Sequence, residues 1–445
     1  MNIKVNKNIG SLLMMGLFGI IIFIITSCEN ESENPFVKDA FNNGTSERNM
    51  IVVISDMHMG ADLAYSENKE NLKPLEDLLE KIEGSENVKE LVIAGDMLDE
   101  WFVPATVDTY NGNGQLDFVQ RISASNKGVF DAFNRIIQGG KILVTYVPGN
   151  HDLTITAENI ELTLPGINQA RDEVLGLGTY SPEGYPEIAI EHGHRYNFFC
   201  APDPFSNQDI APGSILPPGY FFTRITALHV IEGLPTGEGV VVPITPNDSV
   251  DESQANLYRY WSIWAWAANV FTIEEGFDEK IITTNIDGFT ENYSVNDLLP
   301  YQTTPGEWID VNLYKGIQDT WTDRQLQNHV EINIPADHAI TFAVDAAETD
   351  YQAQIQYFSN PNSFKRIVVF GHSHAATMIA SENYHVEKSI YANSGTWIDH
   401  NPRGASTTFV VITPQNDETS SETFVKLYNF EDEVITEMAS DSLRL

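Results

Sequence analysis

The sequence predicts an α/β protein: two β-sheets packed face to face and flanked by helices, with a mainly helical cap inserted between its core strands. Three observations predict this. Short β-branched runs alternate with amphipathic helical stretches in the first third of the chain, which implies βαβ units and largely parallel pairing. A later set of runs reads as an antiparallel meander. Between the two, residues 205–350 are too many for a loop and must have structure of their own.

The chain opens with an address. Lys4 and Lys7 precede "SLLMMGLFGIIIFIITSC", and no charge occurs between Lys7 and Glu29. This is a basic segment followed by an apolar one, as in a secretory signal. It ends in Ile25-Thr26-Ser27-Cys28, which resembles the lipobox of bacterial lipoproteins. That likeness implies removal of residues 1–27, lipid on Cys28 and a cell-envelope location with membrane attachment. A plain transmembrane anchor is the alternative, because the stretch is nearly long enough to span. Residues 28–48 are polar, acidic and aperiodic, and read as a flexible tether. An acidic run just after a lipidated Cys resembles a surface-export signal of some Gram-negative bacteria, so the outer membrane is the expected site.

Composition narrows the partners. The chain has 25 Lys+Arg against 63 Asp+Glu, a net charge of −38. Such a surface repels nucleic acid, so none is expected as a partner. An anionic substrate then needs local positive charge, for which metal ions are a compact source. The two cysteines, Cys28 and Cys200, could in principle pair. If Cys28 carries lipid, Cys200 is left as a small buried hydrophobe.

Five strands end in metal-ligand side chains. "MIVVISDMHMG" (50–60) stops at Asp56, with His58 two residues on. "ENLKPLEDLLEKIEG" (70–84) then lines up Leu72, Leu75, Leu78, Leu79 and Ile82 on one helical face. "KELVIAGDMLDEW" (89–101) runs into Gly95-Asp96. "VFDAFNRIIQGG" (129–140) is helical, and "KILVTYVPGNHD" (141–152) ends in Asn150, His151 and Asp152. "EIAIEHGH" (187–194) ends at His192, and "KRIVVFGHSH" (365–374) at His372 and His374. In open α/β sheets the site lies outside the carboxyl ends of the strands, so these side chains are expected to share one site.

In this order the blocks Asp56-Met57-His58, Gly95-Asp96-Met97-Leu98-Asp99, Gly149-Asn150-His151-Asp152, His192 and Gly371-His372-Ser373-His374 resemble the motifs of the calcineurin-like metallophosphoesterases. The resemblance covers about residues 50–200 and 360–430. It implies the αββα sandwich and a centre of two divalent ions of the Mn, Zn or Fe type. One ion would be held by Asp56, His58 and His374, the other by Asn150, His192 and His372, with Asp96 bridging. Hydroxide between the ions would attack phosphorus. His151 would face the substrate as proton donor or transition-state stabiliser, with Asp152 fixing its tautomer. Asp99 reads equally as support for Asp96 or as a capping carboxylate. His194 and Arg195 are candidates for substrate binding, although a solvated loop arginine is the blander reading. His400 reads as structural.

Within that family "ISDMHMG", "GDMLDEW" and "HGHRYN" are most similar to the UDP-2,3-diacylglucosamine pyrophosphatase-like branch. That branch usually has Arg where this chain has His151, and it works in the cytoplasm. The expected activity is hydrolysis of a phosphoester or pyrophosphate of a small molecule or lipid. The rival from another class is a surface binding lipoprotein on the same fold that has lost activity. Complete ligand positions argue against it.

The insertion separates His192 from His372. "LYRYWSIWAWAANVF" (257–271) places Leu257, Trp261, Trp264, Ala268 and Phe271 along one stripe, the core of a helical cap or an aromatic wall against substrate. "PPGYFFTRITALHVIEGLP" (217–235) is a helix or hairpin, and "TFAVDAAETDYQAQIQYF" (341–358) a returning helix. The core is expected at 49–204 and 351–435.

Overall fold

The β-branched runs form strands, and the stretches between them form helices that cover those strands. The computed structural model describes residues 39–237, 241–247, 251–416 and 420–445. The lipobox and Cys28 lie outside the described residues, and no described helix is long and apolar enough to cross a membrane. The chain runs β1 (Met50–Ile54), α1 (Leu72–Glu83), β2 (Val88–Ala94), α2 (Gln115–Ser125), α3 (Lys127–Gly139) and β3 (Leu143–Val147). It continues through α4 (Ala157–Thr163), β4 (Asn168–Gln169), β5 (Thr179–Tyr180) and β6 (Ile188–Glu191). α1 buries the predicted stripe, Leu75, Leu78, Leu79 and Ile82, and packs on α3, which turns in Phe130, Phe133 and Ile136.

The insertion follows. Its longest helices are α5 (Gly219–Glu232) and α6 (Glu252–Val270). Two small ribbons, β7 (Ile282–Thr283) with β8 (Asn292–Tyr293) and β9 (Tyr301–Gln302) with β10 (Ile309–Asp310), flank α7 (Val295–Leu298). Then come α8 (Trp321–Gln327), α9 (Ala336–Thr341) and α10 (Ala346–Ala353), the last running into a π-turn at Gln354–Phe358. The core resumes with β11 (Ile367–Phe370), β12 (Thr377–Glu382), β13 (Lys388–Asn393), β14 (Thr408–Thr413), β15 (Thr423–Glu431) and β16 (Val434–Leu443).

Two sheets result. One has the order β16-β15-β14-β1-β2-β3-β4, the other β12-β13-β11-β6-β5. β1 through β4 pair in parallel, as do β6, β11 and β13. Alternate residues of the two sheets meet in one apolar layer: Ile51, Val53, Val92 and Val147 from the first, Ile188, Ile190, Ile367 and Val369 from the second. The opposite faces pack on helices, Val52, Ile54, Leu91 and Ile93 among them. This is the expected αββα sandwich.

Three expectations need correction. The late strands are not one meander. β12 and β13 belong to one sheet, β14 to β16 to the other, and the chain crosses between them after Asn393. β16 extends the core past residue 435, and its polar, half-exposed sequence carries little strand signal. The tether does not reach residue 48: Ala40 and Phe41 are buried, Phe41 stacks on Phe409 at 5.6 Å, and Arg48 donates to the carbonyls of Ser85 and Val88. The insertion also shares the core's apolar cluster: Phe199 of the core stacks on Tyr260 of α6 at 5.3 Å.

Candidate metal centre

All five strands deliver their polar residues at their carboxyl ends, and backbone bonds stitch those ends together. The N–H of Asp56 donates to Gly95 O at 3.1 Å, that of His58 to Asp96 O at 3.0 Å, and that of Gly371 to His192 O at 3.2 Å. Glycine allows the loops to approach. A Cβ on Gly149 would lie 2.1 Å from Asp96 Oδ1, and one on Gly371 would lie 2.5 Å from Asp56 Oδ2. The residues expected as ligands are themselves strained. Asp56, His58, Asp96, His372 and His374 have φ of 52°, 45°, 48°, 66° and 57°. Left-handed backbone at non-glycine residues costs of the order of 1–3 kcal/mol each and clusters where function requires it.

The side chains form two groups that meet at Asp96. Asp56, His58 and His374 bring ligand atoms within 4.8 Å of one another, as do Asp96, His192 and His372. His58 Nε2 lies 3.1 Å from His374 Nε2, and His374 Nε2 lies 3.2 Å from Asp56 Oδ1. Asp96 Oδ2 is 3.1 Å from His192 Nε2 and 3.6 Å from His58 Nε2, between both groups. Asn150 Oδ1 stands 3.1 Å from His192 Nε2.

The outer nitrogens fix the tautomers. His192 Nδ1 faces the Ala94 carbonyl at 2.8 Å and must donate to it. His58 Nδ1 faces Asp99 Oδ2 at 2.8 Å. In the neutral rings both Nε2 lone pairs then point inward, that of His192 at oxygens of Asp96 and Asn150 and that of His58 at an Asp96 oxygen, all of them acceptors. Such convergence is repulsive unless protons or cations fill it. Without metal, protons do so. Burial opposes charge on His192, yet Asp96 and Asp56 carry it up to about 9. Burial likewise opposes charge on Asp96, but His192 and His151 hold its carboxyl well below the usual range. Imidazole, carboxylate and one amide oxygen suit borderline divalent ions, so the donor set fits the implied metals.

His151 is positioned differently from the expectation. Its Nδ1 meets Asp99 Oδ1 at 2.8 Å, and its ring stacks on Trp101 with centroids 4.9 Å apart. Asp99 therefore orients both His58 and His151, and its Oδ1 also accepts from the N–H of Trp101 and Phe102 at 2.8 and 2.7 Å. Asp152, expected to orient His151, does not touch the ring. It is fully buried and accepts from the backbone N–H of Gly149, Met97 and Leu98 at 2.7, 2.8 and 3.2 Å, tying the β2 and β3 loops together. The tight turn sends the side chains of residues 151 and 152 to opposite sides, which sequence adjacency does not reveal.

His151 lines a cavity of about 890 Å³ with Asp96, Asn150, His372 and His374. His400, Arg403, Lys69, Glu67 and Cys200 also line it, none of them assigned to the site by sequence. Glu67 Oε2 lies 3.5 Å from His58 Nδ1, and Arg403 donates to Ser373 O at 2.8 Å. The insertion supplies an apolar wall: Phe222, Val230, Ile231, Ile263, Trp266 and Phe271. Trp266 is 45% exposed, whereas Trp264 is buried in the cap. Neither candidate substrate-binding residue faces this cavity. Arg195 is buried and spends its donors on Glu191, Asp172, Thr179 and Asn328. His194 donates from Nε2 to Gly176 O at 2.8 Å, and burial, then His192, keeps it neutral.

The sequence motifs and the geometry agree with one comparison. Residues 50–216 match the family model of the calcineurin-like phosphoesterases. The match spans Asp56, His58, Asp96, Asn150 and His192; His372 and His374 lie beyond it and join through β11. The architecture is the metallophosphoesterase fold. Among solved structures, a Vps29 single mutant from Entamoeba histolytica aligns at 10% identity over 89% of this chain and 99% of that chain, with a TM-score of 0.28. Vacuolar protein sorting 29 from Cryptosporidium parvum aligns at 10% identity over 89% and 98%, with a TM-score of 0.27. No curated protein matches the sequence.

Proposed function

We propose that this chain hydrolyses a phosphoester or pyrophosphate with two divalent cations, and that His151 delivers a proton to the leaving oxygen. The observation that carries the reading is the inward convergence of the His58 and His192 lone pairs onto acceptor atoms, with Asp96 shared between the two groups. Asp56, His58 and His374 would hold one ion, Asn150, His192 and His372 the other, and Asp96 both. Bound ions of this kind polarise a phosphoryl oxygen and supply a nucleophilic water at neutral pH. The chain's own residues do the rest. Asp99 occupies His151 Nδ1, so proton exchange with substrate falls to Nε2. Burial opposes charge on that ring, but Asp99 and Asp96 raise its affinity for a proton. Arg403 and Lys69 offer cationic contacts for the anionic group, and the apolar wall of α5 and α6 suits a substrate with an apolar body. A lipid phosphoester fits that description, as does the narrower likeness to the UDP-diacylglucosamine pyrophosphatase-like branch.

The test is a panel of phosphomono-, phosphodi- and pyrophosphate esters assayed with Mn, Zn and Fe. Turnover should require metal, stop with chelator and fall by several orders of magnitude in Asp96→Asn. A protein that binds metal yet turns over none of them would instead support a binding role. Location belongs to the same proposal: lipid on Cys28 should send the protein to the membrane fraction. Normal processing and membrane retention of Cys28→Ala would contradict that part.

A further inference from the structure

Arg224 of α5 is fully buried in the contact between the insertion and the core. Its Nε donates to Val103 O at 2.6 Å, its Nη2 to Pro104 O at 3.0 Å, to Ala105 O at 3.2 Å and to Val107 O, and its Nη1 to the Tyr220 hydroxyl. These partners are five oxygens, none of them charged. A guanidinium buried without a carboxylate persists only where its donors are fully used, and its rigid fork can grip several carbonyls at once. The carbonyls it grips belong to a core loop, residues 103–107.

That loop begins at the residues that hold His151. Trp101 stacks on the His151 ring, and the N–H groups of Trp101 and Phe102 fix the Asp99 carboxylate that bonds His151 Nδ1. Two further contacts join the insertion to the same place. Thr283 N donates to Ala105 O at 2.9 Å, and a Cβ on Gly219 would sit 3.1 Å from the Trp101 ring. We infer that Arg224 is a positioning residue for His151. It immobilises the loop so that Asp99 and Trp101 hold the imidazole in one orientation, which makes the insertion part of the catalytic arrangement as well as a wall of the cavity. Lysine offers three donors from one point and methionine none, so neither reproduces the grip.

This rests on the assignment of His151 as proton donor, and the experiment separates the two. Arg224→Met and Arg224→Lys are compared with wild type as zinc-loaded full-length protein. In wild type the His151 Nδ1–H proton should give a resolved, slowly exchanging magnetic-resonance signal. In Arg224→Met the signal should be lost to exchange with water. In turnover, Arg224→Met should lose about tenfold or more on an alkyl phosphoester, no more than the roughly 10²–10⁴ that a positioned proton donor contributes, and little on a nitrophenyl ester. Combined with His151→Ala it should cost nothing further. Where the arginine variants do not fold, Tyr220→Phe removes one of the five oxygens and should speed exchange of the same proton. An unchanged Nδ1–H signal in whichever variant folds, or losses that add to those of His151→Ala, overturns the inference. A wild type that hydrolyses no ester while Arg224 still governs the Nδ1–H signal overturns only the proposed reaction.

Discussion

Asp99 shows how much one carboxylate settles at this site. It takes four hydrogen bonds, two from backbone and one each from His58 and His151. Asp99→Asn puts an amide N–H₂ where one imidazole N–H must donate. If that is His58, its ring has to turn its lone pair outward and its proton toward the ions. Support of this kind typically accounts for 10- to 100-fold in metal affinity. The variant should therefore bind metal about 10- to 100-fold more weakly at the His58 group, measured by competition with a chromophoric chelator. Unaltered affinity would mean that Asp99 serves only His151. His151→Ala should keep both metals and lose about 10²–10⁴ in turnover on esters with basic leaving groups. The loss should shrink for nitrophenyl esters, whose leaving groups need no proton, and loss of a metal would show a misassigned ligand. That these strand ends meet was legible because each of the converging polar residues follows a β-branched run. The roles of Asp99 and Asp152 were not, because they depend on which way side chains leave two tight turns.

At the scale of elements, the insertion separates two kinds of tryptophan on α6. Trp264 packs beside Phe199 and Tyr260 in the cap core, while Trp266 lies on the cavity wall against Phe222. Trp264→Ala should destabilise the protein by about 3–5 kcal/mol, read from denaturant unfolding. Trp266→Ala should leave stability nearly unchanged and raise KM for substrates with long apolar groups more than for short ones. Equal KM changes across a chain-length series would remove Trp266 from substrate contact. The helical stripe in "LYRYWSIWAWAANVF" announced a buried face, and Leu257, Trp264 and Ala268 are on it. Phe271 of the same stripe reaches the cavity wall, but Trp266 lies off the stripe and so its place on that wall was not legible. α1, α3 and the strands β1, β2, β3, β6 and β11 were legible because period and burial coincide in them. α2 was not, since its buried positions are only Phe118, Val119 and Ile122, nor was β16, whose partner is needed to make it a strand.

At the scale of the whole molecule, the buried ionisable groups act together on stability. Burial opposes charge on His192, but neighbouring carboxylates carry it to about 9; burial raises Glu100 to about 7 and Asp152 and Asp350 to about 6. Each of these groups holds its proton more tightly folded than unfolded. Its contribution to stability is complete below the unfolded value, roughly 4 for carboxyls and 6.5 for histidine, and is lost as pH rises through the folded value. Asp96 and Asp99 shift the other way despite burial, held low by His192 and His151, so their contribution is lost only as pH falls below roughly 4. His194 and His372 are held below the usual histidine range by burial and then by His192, so their contribution is lost as pH falls below roughly 6.5. Above that value the metal-free protein should weaken toward pH 9, with His192 alone accounting for on the order of 3 kcal/mol. The net charge of −38 works in the same direction, since further deprotonation adds to self-repulsion. Cations at the proposed centre would reverse this: they would take the place of protons between the His192 and His58 lone pairs, and binding would release those protons. The gap in melting temperature between zinc-loaded and chelator-treated protein should therefore widen from pH 5 to pH 7 to pH 9. A gap that narrows with pH, or a metal-free protein that gains stability between pH 7 and pH 9, would mean that the convergent histidines and carboxylates are not what cations and protons compete for.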